Sequence, residues 1–94
     1  MKIIFENPTI QRTISGEYHE EIFKGHVVGQ PVTITNVKPS CGCVTVDYPK
    51  DTLISAFSIK AIIKLGTTGF YSKNIKVGFS NGEVHTLNIN GKAQ

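Results

Sequence analysis

From Phe57 to Leu65 the chain reads FSIKAIIKL, so Phe57, Ile59, Ala61, Ile63 and Leu65 alternate with Ser58, Lys60, Ile62 and Lys64. Successive side chains of extended backbone leave opposite sides, so a period of two marks a strand with one buried face. The period returns in Ile75, Val77 and Phe79, and again in Leu87 and Ile89. A β-branched run, VTITNV, covers 32–37, Val44 and Val46 form a short strand, and residues 22–27 form another. Ile3 to Phe5 and Ile10 to Ile14 supply an N-terminal strand broken at Pro8. No segment carries a helical period.

Turn signals divide these runs at Gly16, Gly29-Gln30-Pro31, Pro39-Ser40, Pro49-Lys50-Asp51, Gly66-Thr67-Thr68-Gly69 and Asn81-Gly82. About seven short strands at this spacing predict an all-β chain: one immunoglobulin-like β-sandwich domain over residues 1–94. The Asn81-Gly82 hairpin permits a sharper expectation. A two-residue turn pairs Phe79 with Val84 and turns Leu87 and Ile89 to the polar face. A three-residue loop, Asn81-Gly82-Glu83, pairs Phe79 with His85, Val77 with Leu87 and Ile75 with Ile89. A one-residue slip exchanges the faces, so the apolar pattern selects the longer, bulged loop.

The net charge is +3, unevenly spread. Residues 1–51 carry five basic and six acidic side chains, whereas 52–94 carry five lysines against Glu83 alone. Nucleic-acid binders combine several arginines with stacking aromatics, and here Arg12 is the single arginine, so a nucleic-acid partner is not expected. The opening MKIIFENP lacks a secretory apolar core, and no stretch is long enough for a helical membrane span. Synthesis in the cytoplasm, without export or membrane insertion, is the expectation.

Cys41 and Cys43, spaced i, i+2, leave the same face of an extended chain. Two thiolates on one face are half of a zinc or copper site, and the other half would need His19, His26 or His85, none at ligand spacing. A bridge between them would close a very small, reducible ring. The structural reading is that both thiols are small, partly buried fillers between two strands. Gly42 would then supply a backbone angle denied to other residues.

The stretch TITNVKPSCGCVTVDYP, residues 33–49, resembles the signature of an uncharacterised family of bacterial Ig-like domains, related to Hydin-like and major-sperm-protein-like sandwiches. Ser40-Cys41-Gly42-Cys43 matches the core of that signature, and Gly29-Gln30-Pro31 and Ile34-Thr35-Asn36-Val37 match what precedes it. Gly69 to Lys73 and Leu87 to Gly91 match the later strands, so the resemblance covers nearly the whole chain. Members usually carry a proline-glycine turn where this chain has Asp51 to Ser55, and many follow an export or lipoprotein signal. The resemblance implies an Ig-like fold and no enzymatic residues.

His19, Glu20 and Glu21 form a possible acid/base cluster, but a solvated strand edge is the expected reading. Ser40 and Ser72 lack a glycine elbow or a histidine nearby in sequence, and no phosphate loop occurs. No catalytic residue and no cofactor are expected. Lys60 and Lys64 project outward from one strand, and Tyr18, Tyr48, Phe70 and Tyr71 fall near strand ends, where capping of the core is expected. Lys60, Lys64, Phe70 and Tyr71 are the candidate partner contacts. The functional expectation is a non-enzymatic structural module: a small virion-associated protein docking on a capsid or tail lattice, or a subunit of another large assembly. The alternatives are a thiol- or metal-handling protein using Cys41 and Cys43, and an adhesive domain from a bacterial envelope protein.

Overall fold

The computed structural model describes residues 2–66 and 68–94. Eight strands follow in order: β1 (Lys2–Phe5), β2 (Thr9–Ile14), β3 (Tyr18–Val28), β4 (Ile34–Pro39), β5 (Val44–Asp47), β6 (Ala56–Lys64), β7 (Gly69–Phe79) and β8 (Val84–Ala93). Among the described residues there is no helix. The strands form two four-stranded sheets, ordered β1-β3-β6-β5 and β2-β8-β7-β4, packed face to face as a sandwich. The Gly66-Thr67-Thr68-Gly69 turn includes Thr67, which lies outside the described residues.

The described residues form eight strands rather than about seven because the N-terminal segment divides between the sheets. β1 pairs antiparallel with β3, and β2 pairs parallel with β8. Pro8 has no N–H to continue a ladder, and its carbonyl accepts from the Asn88 amide at 2.8 Å as the chain enters the second sheet.

The period-two residues make the core. Phe57, Ile59, Ala61, Ile63 and Leu65 are all buried from the first sheet, and Ile75, Val77, Phe79, Leu87 and Ile89 from the second. Each fully buried large aliphatic side chain contributes roughly 1.5–3 kcal/mol. The rings of Phe5, Phe57 and Phe79 meet at one end, with centroids 5.4 to 6.2 Å apart. Phe57 lies over Gly25 on β3, where any Cβ would come within 2.7 Å of the ring.

The β7–β8 hairpin is bulged, but its register corrects the expectation. Val77 pairs with His85 and Ile75 with Leu87, not with Leu87 and Ile89. The loop is Ser80-Asn81-Gly82, closed by Gly82 N–H to the Phe79 carbonyl at 3.0 Å and Phe79 N–H to the Glu83 carbonyl at 2.9 Å. Gly82 takes the left-handed conformation at φ 91°, which places the loop one residue earlier than expected. The pairing therefore moves by two residues, which preserves the faces, and Leu87 and Ile89 stay inside.

Candidate functional site

Cys41 and Cys43 sit where the chain changes sheets. β4 runs antiparallel to β7 as far as the pair Pro39 and Ile75. Ser40 then adds two bonds: its N–H donates to the Asn74 carbonyl at 2.8 Å, and its Oγ accepts from the Asn74 N–H at 3.1 Å. Cys41 and Cys43 are joined by a disulfide, and the Val44 N–H returns to the Cys41 carbonyl at 3.3 Å, closing a tight corner. The Lys64 N–H donates to the Cys43 carbonyl at 2.8 Å, which delivers the chain to β6 as β5.

The expectation of two unbonded thiols is therefore corrected. The expected extended backbone is replaced at 41–43 by a turn between β4 and β5, and it is this turn that brings the sulfurs together. Gly42 is also corrected: it is absent from the positive-φ residues, and a Cβ there would meet nothing within 4 Å. Among the described residues no three His, Cys, Asp or Glu side chains converge as metal ligands.

The corner has a consequence for β7. It removes β4 at Ser40, so among the described residues no strand covers β7 from Gly69 to Lys73 on that side. Asn74 directs its N–H and C=O toward Ser40, and backbone alternation turns those of Phe70 and Ser72 the same way. Phe70 stands 90% exposed beside these free groups. Of the other edges, β6 from Ala56 to Ile59 and β8 from Val84 to Leu87 also run past their outer neighbours, whereas those of β1, β4 and β5 are blunted. β1 and β5 are four residues each, and the Ile3 N–H is met by Glu83 Oε1 at 3.4 Å. β4 has an irregular register between Ile34 and Asn36 and ends on Pro39. The Tyr18–Phe23 stretch of β3 lies beyond β1, but β2 flanks it across a cavity of about 330 Å³ lined by Asn7, Gln11, Arg12, Glu21 and Ile22.

The four expected contact residues do not form one surface. Lys60 and Lys64 lie on β6 in the first sheet, where Lys60 Nζ pairs with Glu20 Oε1 at 3.6 Å. Phe70 and Tyr71 lie on β7 in the second sheet, on opposite faces. Phe70 and Tyr18 are exposed and do not cap the core, whereas Tyr48 and Tyr71 pack against it. Tyr71 donates its hydroxyl to the Arg12 carbonyl at 3.0 Å. Burial raises its pKa above the ordinary phenol value and the Glu21 charge raises it further, while Arg12 acts in the opposite direction.

The expected solvated edge at residues 19–21 is also corrected. Glu21 is 7% exposed, and its Oε2 accepts from Arg12 Nε at 3.1 Å and contacts His19 Nε2 at 2.8 Å. His19 and Glu21 share the inner face because they are two residues apart, a spacing visible in the sequence. The arrival of Arg12 from β2 was not visible there. One carboxylate oxygen serving both partners makes an inter-sheet tie.

A family model described as "Protein of unknown function (DUF1573)" matches residues 7–93. The chain belongs to this family. The DUF1573 match begins just after β1, whose Ile3 and Phe5 nevertheless complete the core. A search of curated proteins finds no match.

Proposed function

We propose that this DUF1573 protein is a non-enzymatic interaction module that receives an extended segment of a partner protein as an added strand on β7 at Gly69–Lys73. The single observation behind this reading is the uncovered edge beyond Ser40, with the free backbone groups of Phe70 and Ser72. Strand addition takes affinity from main-chain bonds and specificity from the flanking side chains. The Ser40-Cys41-Gly42-Cys43 signature and the Ig-like kinship enter this reading together, as the device that turns β4 away. A capsid or tail lattice is its narrower form, in which many weak sites add through avidity.

The test is amide hydrogen exchange with a synthetic extended Thr/Val peptide bearing one central glutamate. Protection of the Phe70 and Ser72 amides, lost in Ser72→Pro, is the expected result. Proline at 72 removes an edge donor, while the β7–β8 bonds run through Tyr71 and Lys73. Unchanged exchange at both amides would sink the proposal.

A second reading, thiol–disulfide exchange at Cys41 and Cys43, draws support from their being bonded and only partly buried. Equilibration with glutathione buffers decides it: a bridge that resists physiological ratios is architecture.

A further inference from the structure

We infer that Lys73 makes the open β7 edge selective for an acidic strand, an inference that rests on the strand-addition reading above. Lys73 has the same parity as Tyr71, Ile75 and Val77, and its cross-strand partner is the buried Ile89. Its stem therefore runs on the core side of an uncovered edge, where it is partly buried. An inward-pointing charge on an edge guards against indiscriminate pairing, because an apolar neighbour must desolvate the ammonium. A basic neighbour repels it. A carboxylate at the flanking position forms a partly desolvated pair, so the same side chain rejects most strands and rewards one class.

Two further observations point the same way. Among the described residues, the ion pairs engage Arg12, His19, Lys60 and His85 and leave Lys73 without a carboxylate. The strands of the second sheet carry Arg12, Lys38, Lys73, Lys76 and Lys92 and no acidic residue, whereas those of the first mix Lys2, Lys24, Lys60 and Lys64 with Glu20, Glu21 and Asp47. A net-positive chain meeting a wholly basic sheet also disfavours a second copy as the occupant. The fitting partner is an extended segment with Asp or Glu beside Lys73 and an apolar residue beside Phe70.

The experiment compares two extended Thr/Val peptides that differ only in a central Glu or Lys, titrated at low salt and followed at the Phe70 and Ser72 amides. The wild-type protein should prefer the Glu peptide roughly tenfold, and added salt should shrink the gap. Lys73→Met should abolish the preference and Lys73→Glu reverse it, while Lys76→Met, an equal loss of charge on the β4-covered part of β7, should retain it. Intact amide spectra establish that each variant is folded. Equal binding of both peptides, or a preference that survives Lys73→Met, overturns the inference and leaves strand addition standing. Failure of both peptides to shift either amide overturns strand addition itself.

Discussion

Tyr71 on β7 lies across Gly91 on β8 and reaches the carbonyl of Arg12 on β2, linking three strands with one side chain. The arrangement depends on glycine at 91, because a Cβ there would overlap the Arg12 carbonyl oxygen and come within 3.0 Å of the Tyr71 hydroxyl. Gly91→Ala should therefore cost about 2–3 kcal/mol, since backbone must move to relieve the overlap. Gly42→Ala, with open space around it, should stay within about 0.5 kcal/mol of wild type. Urea midpoints for the two variants check the contrast.

Arg12 and Lys60 each pair with a glutamate, but in different surroundings. Glu21 is nearly buried, so Arg12→Ala strips a buried carboxylate of one partner and should destabilise by about 1–3 kcal/mol. Both members of the Lys60–Glu20 pair are well exposed, and Lys60→Ala should cost about 0–0.5 kcal/mol. Equal losses for the two variants would contradict the inter-sheet tie.

Glu83 staples the β7–β8 turn to β1. Partial burial raises its carboxyl, but hydrogen bonds from Asn81, His85 and the Ile3 amide, with the His85 charge, outweigh this and hold it below the ordinary carboxylate value. A depressed folded pKa contributes stability that is present above the unfolded value and disappears as pH falls through the folded one. Acidification should therefore loosen β1, lowering the protection factor of the Ile3 amide relative to its intrinsic exchange rate, and Glu83→Gln should remove that pH dependence. An Ile3 amide indifferent to acid in the wild-type protein would count against the staple.

The Cys41–Cys43 bridge closes so short a loop that its chain-entropy contribution is about 1.5 kcal/mol. Replacing both cysteines by serine should lower stability by that amount and keep the sandwich. Titration of the unreduced protein should find no free thiol.

The strands and their inner faces were written in the period of two. Ile59, Ile63, Ile75 and Leu87 are legible as core residues without reference to any partner strand, because alternation is a local property of extended backbone. The bulged hairpin was legible in kind, but the site of its left-handed residue shifted the register by two. What crosses between strands was not legible. The break at Pro8 was legible, but the placing of its two halves in different sheets, the approach of Arg12 to Glu21 and the passage of Tyr71 over Gly91 join residues that only packing brings together. The cysteine pair shows the boundary: their spacing was written in the sequence, whereas the turn that joins them and the β7 edge it leaves open came from β4 changing sheets. Periodicity specifies which way a side chain points, and the stacking of two sheets decides what it meets.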